Sequence, residues 1–231
     1  MRRQKSRSVR PELYDEAYFL SSCEGYAEFI ASEGVHLSRR LSQALGVAGV
    51  APGMQVLDVG CGRGETLRYC ARLGAEVYGV DYAPVAVRMA RRLAARDEET
   101  QDVVRVYMAD AKSLPFPAAS FDRVLMLDLV EHLHPWELDR ALAEARRVLR
   151  PDGQLIIHTA PNAWYDRFAY PVVRFVRTLM AQGAGYPKDP RAMVSANLDV
   201  HVNEQSALSL WRVLRRAGFY ARVWLDTPPQ N

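Results

Sequence analysis

One ten-residue stretch constrains this chain more than any other. Residues 56–65 read VLDVGCGRGE, an apolar run that breaks into glycines at Gly60, Gly62 and Gly64. A β-type run ending in a glycine turn lets a ligand approach the backbone, because glycine presents no Cβ. The spacing narrows the choice of ligand. In a dinucleotide fingerprint, Gly-x-Gly-x-x-Gly, the third glycine would fall where this chain has Glu65. The phosphate-loop pattern ending in Gly-Lys-Ser/Thr is absent as well. An acid where a pyrophosphate would lie favours a ligand without phosphate and with positive charge.

From Met54 onward, short β-type runs alternate with helical stretches. The strand candidates are MQVLDV (54–59), AEVYGV (75–80), VVRVYM (103–108), FDRVLML (121–127) and QLIIHTA (154–160). Between them TLRYCARL, APVAVRMARRLAAR and WELDRALAEARRVL carry apolar residues at helical spacing. Such alternation predicts βαβ units, a parallel sheet with helices on both faces, and a ligand crevice at the strand C-termini. Two helical segments over about 13–46 are expected to cover the sheet edge. A last helix over 203–218, N-capped by Asn203 and closed by Gly218, leads to a sixth strand, FYARVWL (219–225).

At this point the chain resembles the class I S-adenosylmethionine-dependent methyltransferases. VLDVGCGRG is similar to their first motif, and VYGVDYAP (77–84), YMADAKSLPF (107–116), FDRVLMLDLVEHL (121–133) and LRPDGQLII (149–157) follow in the family's order. The resemblance covers about residues 36–160 and implies a Rossmann-like, doubly wound, mostly parallel α/β sheet. It also implies an N-terminal helical cap and a lid insertion (161–200) after strand 5. On this reading residues 13–231 are a single domain behind a basic disordered tail, 1–12. The family sheet carries a seventh, antiparallel strand for which TPPQN is too short, so either the sheet is abbreviated or the chain is truncated.

The resemblance implies S-adenosyl-L-methionine as cofactor, with roles that make physical sense residue by residue. Asp81, 23 residues after Asp58, falls where the family places an acid on the ribose hydroxyls, and an ionised acceptor strengthens both bonds. Asp110 and the amide of Ala111 fall at the adenine edge, and Tyr82 can lie against the adenine face. Gly60, Gly62 and Gly64 admit the methionyl moiety, which the Leu127 backbone also meets. Asp58 orients the loop and, through water, the ammonium group. Arg40, 16 residues before Val56, matches an arginine on the cofactor carboxylate, with Arg39 beside it as the alternative.

The segment after strand four bears on the acceptor. It reads DLVEHLH, without the Asn/Asp-Pro-Pro-aromatic motif of amino-methylating DNA enzymes, and the chain has no Pro-Cys dipeptide of the cytosine enzymes. DNA is therefore disfavoured as substrate. DLVEHL resembles the branch containing the ubiquinone and menaquinone biosynthesis methyltransferases, which implies a small-molecule acceptor methylated on O, N or C. His132 is the general-base candidate, since imidazole titrates near neutrality; packing at a strand–helix junction is the competing role. Asp128, Glu131 and His132 resemble an acid-x-x-Glu-His cluster that can hold a divalent cation, with Asp here in place of Glu. His134, before Pro135, reads as a loop residue, and His201 is expected to face the acceptor. RNA or protein methylation and non-catalytic cofactor binding are the alternatives.

In the insertion, Trp164, Phe168, Val172, Phe175 and Leu179 share one helical face and Arg167, Arg174 and Arg177 another, with Pro171 restarting or kinking the helix. This implies either a helix packed on the core or a lid over an apolar or anionic acceptor, with contact to a membrane surface. Charge matters here. The first ten residues hold five of the chain's 30 basic side chains and no acid; the remainder, 25 basic against 27 acidic, is a poor polyanion binder. Three cysteines without metal-type spacing, no leader and no spanning run fit a cytoplasmic protein.

Overall fold

The computed structural model describes residues 7–159, 163–180, 185–194 and 196–225. Its centre is a sheet of five parallel strands: β1 (Gln55–Val59), β2 (Glu76–Asp81), β3 (Val104–Met108), β4 (Phe121–Leu127) and β5 (Leu149–His158). The order is β3-β2-β1-β4-β5, so the winding reverses between β1 and β4. A crevice opens at such a reversal because the flanking crossovers leave in opposite directions.

The pleat decides which helices each strand residue meets. Val56, Leu125 and Leu127 pack on one face with Leu41, Leu45, Leu67, Cys70 and Ala90. Those partners belong to α3 (Arg39–Ala48), α4 (Glu65–Arg72) and α5 (Pro84–Ala95). Leu57, Val59, Val124 and Met126 pack on the other face with Leu138, Leu142, Leu210 and Leu214 from α6 (Pro135–Val148) and α9 (Ala207–Arg216). Both faces are thus covered, as a parallel sheet requires.

A third apolar cluster joins the N-terminal cap to the rest. Tyr14, and Tyr18 and Phe19 from α1 (Glu16–Ser21), meet Ala83, Ala86 and Val200. A second short helix, α2 (Tyr26–Ser32), precedes α3. The cap has three helices rather than two, and α3 lies on the sheet face near β4 and β5 instead of along an edge, with the Ala48 carbonyl accepting from Arg123 Nε at 2.6 Å. At the end of the basic segment 1–12, Pro11–Leu13 form a 3-10 turn.

Other expectations need correction. β5 starts at Leu149 because residues 149–153 join it through an irregularity between Phe121 and Arg123. The last helix is capped by Ser206, whose hydroxyl accepts from Ser209 N at 3.1 Å, and not by Asn203. Gly218, φ +85°, does close it. Residues 219–225 are not a strand: Phe219, Ala221 and Val223 pack inward as in a strand, but among the described residues no ladder pairs them. In the insertion a π-turn, Tyr165–Ala169, precedes α7 (Tyr170–Leu179). Pro171 has no N–H to bond the Arg167 carbonyl, so the turn before it widens. The 3-10 turn Pro190–Met193 and α8 (Asn197–Val200) complete the segment. Residues 160–162, 181–184 and 195 of the insertion, and TPPQN, lie outside the described residues. No described helix is long and apolar enough to cross a membrane.

Candidate cofactor and acceptor site

The ends of β1, β2 and β4 and the segment following β3 open into a cavity of about 1050 Å³, mouth included, lined by Asp58, Gly60, Gly62, Asp81, Tyr82, Asp110, Ala111, Leu127, Asp128 and His132 among others. These sequence-predicted residues are therefore brought together. Gly60 and Cys61 donate to the Val80 carbonyl at 2.8 and 3.1 Å, folding the loop across β2. Gly64 has another task. Its φ is +90°, and a Cβ there would lie 2.8 Å from Ala90 Cα, so the third glycine lets α4 pass close to α5.

Two buried carboxylates face this loop. Asp81 accepts from Gly62 N at 3.1 Å and Ala83 N at 2.9 Å. Burial pushes its pKa up to about 6 against the pull of those amides. Asp58 accepts from the Thr66 hydroxyl through Oδ2, while buried Oδ1 has no partner among the described residues. Burial raises Asp58 to about 7. An orphaned carboxylate oxygen is costly unless a ligand donor meets it, and an ammonium group fits that need.

The source of the pocket's acidity differs from the sequence expectation. Glu65 is buried and paired with Arg63 inside the loop, Nε lying 3.0 Å from Oε1, so its charge is neutralised locally. The negative character comes from Asp58 and Asp81. Arg63, only 2% exposed, also donates to the Phe19 carbonyl at 2.6 Å and to the Glu24 carbonyl. Arg40 does not line the cavity; it is paired with Glu24, which does. Arg39 bonds Gln43 Oε1 at 2.6 Å.

Asp110 is held by its own turn, accepting from Lys112 N at 2.9 Å and pairing with Lys112 Nζ at 2.9 Å. Lys112 also reaches Glu137 Oε1 at 2.7 Å. The N-terminal segment closes over this end. Ser8 Oγ donates to Glu137, Tyr82 OH donates to the Val9 carbonyl at 3.1 Å, and the Tyr14 and Tyr82 rings meet edge-on at 5.7 Å.

A polar cluster lies at the ends of β4 and β5. Asp128 sits at φ +52°, a left-handed conformation that costs a non-glycine residue about 1–2 kcal/mol. It turns the chain so that Oδ1 lies 2.8 Å from His158 Nδ1 on the neighbouring strand end. His158 escaped the sequence reading, where nothing distinguishes one histidine at the end of an apolar run. His132 Nδ1 lies 3.2 Å from the Val200 carbonyl and 3.1 Å from Tyr14 OH. A carbonyl only accepts, so this contact favours the Nδ1–H tautomer and leaves the Nε2 lone pair free. Burial, then the neighbouring His201, depresses His132 to about 3, and burial depresses His201 to about 4.

Glu131 accepts from Thr159 Oγ1 at 2.8 Å, and its carbonyl receives Val202 N and Asn203 N. The His132 and His201 rings meet edge-on at 5.0 Å. Glu131, His132 and His201 bring one carboxylate oxygen and two imidazole nitrogens within 4.8 Å of one another, a set that could hold a metal ion. His201 takes the place expected for Asp128, which is turned to His158. His201 Nδ1 is buried with no hydrogen-bond partner among the described residues, Glu204 Oε1 lying 3.9 Å away. His134, half-buried, starts α6, its amide donating to Glu137 Oε2 at 3.0 Å.

Comparison with known proteins matches this geometry. Residues 57–157 match a family described as a methyltransferase domain. The chain is 35% identical to demethylmenaquinone methyltransferase from Tropheryma whipplei, over 58% of this chain and 54% of the relative. It is 36% identical to ubiquinone biosynthesis O-methyltransferase from Xanthomonas campestris, over 60% and 56%. It thus spans little more than half the length of these relatives. Among solved structures, the YcgJ protein from Bacillus subtilis superposes with a TM-score of 0.55 at 26% identity, covering 77% of this chain and 67% of that one. Fold, glycine loop and family match agree over residues 57–157, which are similar to a methyltransferase domain.

Proposed function

We propose that this protein transfers the methyl group of S-adenosylmethionine to an O, N or C atom of a small molecule. One observation carries the reading: the unpartnered, buried Asp58 Oδ1 beside a glycine loop, in a cavity that also reaches His132 and Asp128. Asp81 would accept the ribose hydroxyls through the lone pairs its two backbone amides leave free. Tyr82, Asp110 and Ala111 would hold the adenine, Asp58 the ammonium group, and the Leu127 backbone the methionyl end. When bound, the cofactor supplies a methyl carbon on a positively charged sulfur, which the acceptor's lone pair takes as the carbon–sulfur bond breaks.

This chain's own part is alignment and proton removal. The free Nε2 of His132 would receive the proton of an acceptor hydroxyl, with Glu131 and Asp128 stabilising the imidazolium. Asp128 also fixes the His158 ring. In place of that base role, Glu131, His132 and His201 are the residues that would hold a divalent cation through the same Nε2 lone pair, and its chemistry there would be polarisation of an acceptor oxygen. The relatives named for demethylmenaquinone and for ubiquinone biosynthesis favour an apolar, quinone-like acceptor.

Calorimetric titration with S-adenosylmethionine and S-adenosylhomocysteine, with NAD as control, tests the cofactor assignment. Both sulfur ligands should bind, and Asp81→Ala should weaken them by about tenfold or more. Binding of NAD alone would overturn the reading. Methyl transfer to small phenols and quinols would then separate an enzyme from a cofactor-binding module.

A further inference from the structure

Among the described residues, an exposed apolar stripe runs along the π-turn and α7. Phe168, Val172, Phe175 and Leu179 are 61–72% exposed and Met180 58%, with Trp164 at 44% at the start of the same face. A stripe of this size, left in water, is uncommon on a soluble surface unless something covers it. The charges beside it indicate what. From Trp164 to Met180 the sequence has three arginines against one acid, Asp166, whose Oδ2 is buried away from the surface. Arg167 lies 5.7 Å from the Phe168 ring centroid, and Arg174 and Arg177 reach Tyr186, through its carbonyl and its ring respectively. These cations therefore travel with the apolar face and its supporting loop.

We propose that the π-turn and α7 form an interfacial helix that lies flat on an anionic lipid surface. The apolar face enters the acyl boundary while the arginines meet headgroup phosphates. Sixteen residues from Trp164 to Leu179 make a helix of about 24 Å, too short for the ~30 Å hydrocarbon core, so the helix rests in the plane of the surface. A second copy docked face to face would set these arginines against their counterparts, which disfavours self-association as the cover. The segment is tied to the acceptor end of the site: Tyr170 OH donates to the Pro187 carbonyl at 2.9 Å, and Arg191 Nη1 donates to the His201 carbonyl at 3.4 Å. An acceptor dissolved in the bilayer would meet the protein on the side that carries His201. The docking itself does not depend on methyl transfer.

Vesicle flotation tests it, with phosphatidylcholine alone and phosphatidylcholine mixed with phosphatidylglycerol. The full chain should float with the mixed vesicles, lose them at high salt, and show a tryptophan blue shift that Trp164→Phe removes. The triple variant Phe168→Ser/Phe175→Ser/Leu179→Ser should bind the mixed vesicles about tenfold more weakly or less, because each change removes an apolar anchor. These side chains are exposed, so its circular dichroism and melting should match the parent. Removing residues 1–6 should leave flotation in place. A folded parent that ignores anionic vesicles would overturn the proposal, as would a triple variant that floats equally well. Light scattering supplies the third arm: a parent dimer made monomeric by the triple substitution, without lipid binding, would make the cover a second copy and likewise overturn it.

Discussion

Asp128 Oδ1 and His158 Nδ1 lie 2.8 Å apart across the ends of adjacent strands, both side chains less than one-fifth exposed. An acceptor carboxylate at Nδ1 selects the tautomer whose Nε2 lone pair is free, and it holds the ring in one orientation. Asp128→Asn keeps the shape but can present an amide donor to the ring, and it removes the charge that would stabilise the His132 imidazolium. We expect kcat on a hydroxyl acceptor to fall by about 10²-fold, the scale of general-base help, with cofactor affinity nearly unchanged. Equal loss of cofactor affinity would assign Asp128 to the methionyl end instead.

Acidification should weaken cofactor binding. Burial raises Asp81 to about 6 and Asp58 to about 7, and the cofactor's hydroxyl and ammonium donors need the ionised forms. Affinity should be flat above about pH 8, fall by up to about tenfold per unit between the two carboxylate pKa values, and by up to about a hundredfold per unit below both. Asp58→Asn should remove the upper part of that slope in calorimetry.

Stability without cofactor should respond differently. The raised carboxylates bind protons more tightly when folded, so their stabilising contribution is present at low pH and lost as pH rises through 6–7. His132 and His201, depressed to about 3 and 4, stabilise above their unfolded value near 6.5, and that contribution is lost as pH falls toward 3–4. The two slopes oppose one another between about pH 4 and 6.5. Replacing both histidines by Gln should expose the carboxylate slope, with melting temperature falling as pH rises through that window.

Gly64→Ala should be among the most damaging single-methyl additions. Its Cβ would stand 2.8 Å from backbone at Ala90, and φ +90° is closed to alanine. Overpacking and backbone strain together should cost about 2–4 kcal/mol in chemical denaturation. A loss below about 1 kcal/mol would show that α5 can shift.

The N-terminal segment should act as a strap. Ser8, Val9 and Tyr14 line the cavity and are tied to Glu137, Tyr82 and His132. Deleting residues 1–10 should raise both association and dissociation rates of the cofactor by roughly fivefold or more in stopped flow. Unchanged rates would place the cofactor's route elsewhere.

The sheet was legible because βα alternation writes each strand as an apolar run between helical periods. Four of the five strands begin within a residue of their expected positions. What escaped depends on partners distant in sequence. Residues 219–225 have a strand's alternation, but a strand also needs a neighbour for its amides, and periodicity carries no such information. Glu65 was visible as an acid, whereas its neutralisation depends on which way the Arg63 side chain folds back. Arg40 matched an interval, and an interval does not record that Glu24 is closer. Gly60, Gly62 and Gly64 were readable because their positive φ favours glycine, whereas Asp58 and Asp81 stood out only through the family resemblance.

Arg63 joins three segments remote from one another: the glycine loop that carries it, the end of α1 through the Phe19 carbonyl, and the turn before α2 through Glu24. Cap and loop therefore form one cooperative unit of opening. Amide exchange at Gly62–Glu65 and over residues 19–26 should share a single opening free energy and slow together when ligand binds. Order in the first helices is in this sense a report, delivered some forty residues upstream, of whether the cofactor loop is occupied.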